Sequence, residues 1–233
     1  MFWYAELFVE ILKDIQVNIS REEVLRLQGW RGKRSSRNVE NALTSQIEEG
    51  FRLVQPKAMY TMIGVVQLQD DCIKLDNGLV LKIPNATQVW GGSQWLVVAI
   101  CTIGPTLEHR VSELFDAGEY PMALMLDSVG SVAVESVADY VNAHLCQLAN
   151  NMDTATGPRL SPGYGRWELA DQQVIFSILP GEEIGVLLNE DSVMLPQKST
   201  SFCMGIGRDL VTIPVGNRCE HCRIEDCAYR RRP

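Results

Sequence analysis

The run from 121 to 149 is rich in Ala, Val and Leu and is the longest helical stretch in the chain. A helix of that composition draws its stability from packing an apolar face against other elements. At about 100° per residue, Val129, Ala133, Val137, Tyr140, Val141 and Leu148 make such a face. Asp127, Ser131, Glu135, Ala138 and Asn142 fall in a narrow stripe beside it. A stripe of small and acidic residues suits a cleft wall. Short side chains let a ligand approach, and carboxylates meet ammonium, sulfonium or hydroxyl groups. The same spacing also suits an amphipathic helix whose acids are merely solvated.

Around this helix the pattern alternates between two periods. Residues 2–15 carry apolar side chains around most of a helix, with charge on one stripe. Ser20 followed by Glu23 is a capping-box signature that opens a short helix stopped by Gly29. Residues 38–54 return to helical spacing through Val39, Leu43, Ile47 and Phe51. From about 59 the pattern predicts strands at 59–66, 72–75, 79–83 and 94–103, with Asp76-Asn77-Gly78 as a hairpin turn. Helices are expected at 106–117 and 169–179, and strands at 184–188, 199–206 and 210–213. Hairpin-linked strands with flanking helices predict an α+β fold around a mainly antiparallel sheet. The expected organisation is an N-terminal helical segment (1–56) packed on an α+β domain (57–215), followed by a Cys-rich tail (216–233).

With 233 residues, 46% of them hydrophobic, the chain can bury a sizeable core. Its net charge of −8 argues against a nucleic-acid backbone or an anionic membrane surface as main partner. Basic residues cluster at Arg31, Lys33, Arg34 and Arg37, and at Arg230–Arg232; each cluster reads as a solvated segment or as a docking patch. The first residues lack a basic n-region and a small-residue cleavage site, and no stretch approaches 18 uncharged apolar residues. A cytoplasmic protein is expected. Its seven cysteines then suggest thiols or metal ligands rather than disulfides.

Two segments could carry chemistry. In Arg159-Leu160-Ser161-Pro162-Gly163-Tyr164-Gly165 the glycines allow close backbone approach or a turn. Arg159 suits a carboxylate through two parallel hydrogen bonds. Tyr164 offers an aromatic face to a base or a sulfonium. A plain Pro/Gly connector is the competing reading. The second segment is Cys219-Glu-His-Cys222-Arg-Ile-Glu-Asp-Cys227, whose spacing lets thiolates converge on a metal or cluster. Cys203 is the candidate fourth ligand; His221, beside Cys222, is a poorer one. Cys72, Cys101 and Cys146 read as core residues, and His109 and His144 as structural or surface histidines. The sequence offers no nucleophile signature, P-loop or G-x-G-x-x-G helix start.

Taken together, the Arg159–Tyr164 loop, the 184–196 stretch and the helix segment Val134-Glu135-Ser-Val-Ala-Asp139-Tyr140 resemble the reactivation domain of cobalamin-dependent methionine synthase, in its free-standing short form. That family carries an Arg-x-x-x-Gly-Tyr loop, usually Arg-Pro-Ala-Pro-Gly-Tyr. The likeness runs over roughly 120–206, and 19–119 look like the shorter members. It implies a curved α+β domain that holds S-adenosylmethionine in a shallow cleft. Arg159 would then take the methionyl carboxylate, with backbone contacts at Ser161 and Gly163. Tyr164 would line the cleft, Glu135 would face the amino or sulfonium side, and Asp153 would stand where the family has another acid. Ser161 replaces the usual alanine, the late tyrosine has no counterpart, and the cysteine tail is not part of the long enzyme's domain.

The function so implied is support of reductive methylation, in which an inactive cobalamin on a methionine synthase or another corrinoid protein receives an electron from flavodoxin or a similar reductant and a methyl group from S-adenosylmethionine. The chain would be an accessory to that methyltransferase. Two alternatives stay open: an iron–sulfur redox protein delivering electrons to a corrinoid protein, and a non-catalytic corrinoid-protein adaptor. In the tail, Cys219, Cys222 and Cys227, with Cys203, are expected to hold an iron–sulfur cluster or zinc.

Overall fold

The computed structural model describes residues 9–30, 36–208 and 210. In chain order the elements are β1 (Val9–Leu12), α1 (Arg21–Leu27), α2 (Arg37–Leu53), β2 (Lys57–Gln69), β3 (Cys72–Leu75), β4 (Val80–Leu81), α3 (Ala86–Trp90), β5 (Trp95–Thr102), α4 (Thr106–Asp116), α5 (Tyr120–Asn151), β6 (Ala155–Thr156), α6 (Gln172–Ile178), β7 (Leu187–Leu188), β8 (Met194–Leu195) and β9 (Ser199–Gly207). Seven strands form one antiparallel sheet in the order β4-β3-β2-β5-β9-β6, with β1 also on β2. It is strongly curled into a half-barrel and flanked by helices, the α+β architecture the sequence predicts.

The period of two along β2, β5 and β9 splits the core into two layers. Ala58, Tyr60, Val97, Ala99, Phe202 and Met204 face α1, α2, α4 and α5. Met59, Ile63, Val98, Ile100 and Cys203 face the opposite way, against Trp90 and the α6 region. Helix α5 lies across the first layer. By length and hydropathy alone it would pass for a membrane-crossing helix, but 61% of its most apolar stretch is buried inside the protein. It is the core helix of this fold. Val24, Leu43 and Ile47 from α1 and α2 join the same layer. The Gln28 amide donates to Leu124 O (2.9 Å) and to Ser128 Oγ (2.6 Å) on α5. The Ser20 hydroxyl caps α1 by accepting from Glu23 N–H.

Two expectations need correction, and one helix was not expected at all. The helix expected over 2–15 is, in its described part, the strand β1. Val9–Leu12 pair with Ala58–Thr61 of β2, on the edge that β3 leaves open further along. Apolar residues at 9, 11 and 12 satisfy either period, and an unpaired strand edge decides for the strand. Glu10, also on β1, accepts a hydrogen bond from the Tyr60 hydroxyl (2.5 Å), which lies 3.1 Å from His144 Nε2 on α5. The strand expected at 184–188 begins on the last residue of a tight helical turn at Gly181–Ile184, passes through left-handed Gly185, and is paired only at Leu187–Leu188. Helix α3, which no periodicity signals, is entered through left-handed Asn85. Of the strand expected at 210–213, only Leu210 lies among the described residues.

Candidate functional site

The segment after α5 runs beside β9. Ala155 and Thr156 pair with Gly207 and Ile206, Gly157 N–H donates to Gly205 O (2.9 Å), and Leu160 exchanges both backbone bonds with Cys203. Arg159 is therefore fixed between two paired residues, with its side chain on the α5 face. Its guanidinium stacks over Phe202, 5.1 Å from the ring centroid. Nη2 donates to Asp139 Oδ1 at 2.7 Å and stands 3.7 Å from Glu135 Oε2. The Arg159 side chain is only 4% exposed, whereas Glu135 and Asp139 are 41% and 37% exposed. Arg159 Nη1 is buried and has no hydrogen-bond partner among the described residues. The guanidinium thus keeps one desolvated donor unsatisfied beside two half-exposed carboxylates, an arrangement that costs free energy until an acceptor meets it.

Beyond Arg159 the chain makes a loop held by Trp167. Gly163 N–H donates to Trp167 O (2.9 Å), Trp167 N–H donates to Tyr164 O (3.1 Å), and the buried Trp167 indole N–H donates to Asp171 (2.7 Å). Gly163 has φ +85°, a left-handed position where a side chain is strained. Tyr164 at the loop tip is 69% exposed, so its ring is presented to solvent rather than to the core.

A crystal structure of the MetH reactivation domain bound to AdoHcy matches this architecture, with a TM-score of 0.65 over 90% of this chain and 81% of that one, at 14% identity. The fold is that of the MetH reactivation domain. No family model and no curated protein matches the chain. The likeness to the MetH domain is thus one of backbone.

On this MetH-like backbone the expected residues separate. Glu135 and Arg159 meet across α5, and Ser161, Gly163 and Tyr164 follow Arg159 in the loop that Trp167 holds. Asp153 is exposed just past the end of α5, left-handed at φ +53°. About 18 Å of helix lies between Asp139 and that end, so Asp153 is not brought to Arg159. Cys203 is fully buried at the centre of β9, among core residues of the second layer. Burial pushes its thiol pKa well up, with Asp171 adding to the effect. Cys219, Cys222 and Cys227 lie outside the described residues. Among the described residues no group of three or more His, Cys, Asp or Glu side chains is placed to hold a metal.

The helix stripe also divides. Lys198 Nζ binds Asp127 (2.7 Å) and Ser131 (3.0 Å). Asn142 donates to Cys146 Sγ (3.7 Å), which lies 3.2 Å from Thr156 Oγ1. These bonds pin the β8–β9 connection and β6 to α5; only the middle of the stripe meets Arg159. Asp139 and Phe202 are the site residues that sequence reasoning missed. A separate open cleft of about 900 Å³, lined by Asp70, Asp71, Lys82, Arg166, Glu168 and Asp171, contains none of the expected ligand residues.

Proposed function

We propose that this chain binds S-adenosylmethionine over the Arg159–Tyr164 loop and supports reductive methylation of cobalamin carried by a methionine synthase or another corrinoid protein. The observation that carries the reading is the buried, unpartnered Nη1 of Arg159, the first residue of the Arg-Leu-Ser-Pro-Gly-Tyr segment. A carboxylate arriving there would satisfy a donor whose desolvation otherwise costs roughly 1–3 kcal/mol. Glu135, on the same helix face, would meet the amino or sulfonium side, and the exposed Tyr164 ring would cover the ligand. The AdoHcy in the MetH neighbour is S-adenosylhomocysteine, the demethylated form of the proposed ligand.

When bound, the ligand supplies a methyl group and the partner's cobalamin supplies the acceptor metal. The chain's own residues bind and orient. No side chain has to act as nucleophile or base, because positioning alone accounts for the protein's part. The electron would come from flavodoxin or a similar reductant, or through a metal centre on the cysteine tail. A cytoplasmic setting fits such partners. Calorimetric titration of the full chain with S-adenosylmethionine tests the reading. Saturable one-to-one binding is expected, weakened on the order of tenfold or more by Arg159→Ala, given roughly 1.5–3 kcal/mol for a charge-assisted bond. No heat from the wild-type chain at millimolar ligand would reject it.

A further inference from the structure

Of the two acids that meet Arg159, the nearer is Asp139, one helical turn beyond Glu135. Its Oδ1 takes the Nη2 donor at 2.7 Å, while Nη1 stays desolvated and without a partner among the described residues. Phe202 backs one face of the guanidinium at 5.1 Å. The backbone on both sides of Arg159 is tied to β9. Three independent constraints thus fix one orientation of the planar fork: a ring beneath it, a carboxylate on one arm and a paired strand at its root. The other arm is left as the unsatisfied one. A guanidinium presents its donors in rigid geometry, so anchoring one arm sets the direction of the next.

We propose that Asp139 is a positioning residue for ligand recognition. It holds Arg159 by Nη2 so that Nη1 is aimed at the carboxylate of an S-adenosyl amino acid, without touching that ligand itself. The inference rests on the ligand reading above and adds to it the residue that makes Arg159 selective for a carboxylate. Removing the anchor lets the long side chain swing toward Glu135 or water, and the loss should fall on carboxylate recognition alone.

The experiment compares two probes, S-adenosylmethionine and its decarboxylated analogue, titrated into wild type, Asp139→Asn and Asp139→Ala, with thermal unfolding of each. Asp139→Ala should bind S-adenosylmethionine on the order of tenfold more weakly and the analogue within about twofold of wild type. Asp139→Asn, whose amide oxygen still accepts from Nη2, should recover most of the affinity. Equal losses for both probes would mean Asp139 contacts the ligand or supports the fold at large, and unchanged S-adenosylmethionine affinity in Asp139→Ala would show that Arg159 needs no anchor; either overturns the proposal. If the analogue binds too weakly to read, the NMR signal of the Arg159 Nη2 hydrogens, the ones held by Asp139, decides. It should be protected from solvent exchange in wild type and Asp139→Asn and exposed in Asp139→Ala; protection kept in the alanine variant overturns the idea. A wild-type chain that binds neither probe sinks the ligand reading and this inference with it, whereas binding that ignores position 139 sinks only the inference.

Discussion

Gly157 lies against the indole of Trp90: a Cβ at 157 would stand 2.5 Å from Trp90 Cδ1 and 3.1 Å from Nε1. Gly205, hydrogen-bonded to Gly157 across the β6–β9 edge, approaches the same indole, where a Cβ would stand 2.9 Å from Cγ. Trp90 is fully buried over this pair and donates its indole N–H to Pro158 O at 2.9 Å. Two missing side chains therefore seat the ring that braces the backbone leading into Arg159. Gly157→Ala should destabilise the fold by roughly 1–3 kcal/mol, the usual cost of overpacking. Urea unfolding measures it. A wild-type midpoint would show that the indole moves aside freely.

The acids of α5 should separate binding from stability. Glu135 is half-exposed, and its 3.7 Å approach to Arg159 is the longer of the two. Glu135→Gln is expected to weaken S-adenosylmethionine binding several-fold while the melting temperature stays nearly unchanged. A large fall in melting temperature would instead make Glu135 a structural partner of Arg159.

Alkaline conditions should destabilise the chain through its core thiols. Burial raises the pKa of Cys101, with Glu135 adding to it, and burial likewise raises that of Cys203. In the unfolded chain these thiols ionise near the ordinary value of about 8.5. A raised folded pKa gives stability that is whole below that value and is lost as pH rises above it. The slope is at most about 1.4 kcal/mol per pH unit for each thiol. Unfolding free energies at about pH 7.5 and about pH 9.5, read from urea titrations, should differ less in Cys101→Val than in wild type. Equal differences would mean the folded thiol ionises as readily as the unfolded one.

The tail cysteines are expected to bind a metal. Arg218, Arg223 and Arg230 lie close in sequence to Cys219, Cys222 and Cys227, and positive charge eases reduction of an anionic iron–sulfur cluster. Anaerobic purification with metal analysis and visible absorption distinguishes the cases. Brown protein with iron and sulfide, lost in Cys222→Ala, supports the cluster. About one zinc per chain in colourless protein makes the tail a staple. No metal at all rejects both. Cys203, sealed in the sheet, should stay inert to thiol reagents in the native state. Its rapid labelling would show that β9 opens.

The sequence carried the central sheet, α4, α5 and the β3–β4 turn because period and turn residues agree there. It did not reveal β1, whose four residues acquire their state from the free edge of β2 rather than from their own spacing. Nor did it reveal α3, five residues long and set by tertiary packing of Trp90. In the site, the Arg159 loop was legible as a motif. Asp139 was not, because it sits about 40° around the helix from Glu135, outside the narrow stripe that spacing selected. Phe202 looked like any strand aromatic until the fold laid a cation over it. Gly205 and Gly207 on β9 have their physical reason in the close approach of Trp90 and of the Gly92 backbone.

Strands β5 and β9 are bonded along eight residue pairs, from Trp95 with Ile206 to Thr102 with Ser199, yet α4, α5 and the Arg159 loop lie between them in the chain. During synthesis one edge of β5, apolar along nearly its whole length, must wait for the last described strand to emerge. An edge of that kind invites pairing with another chain. The ribosome-bound chain therefore passes through a window of aggregation risk that closes only with β9, and a product terminated before residue 199 should be insoluble even though it contains the whole Arg159 loop.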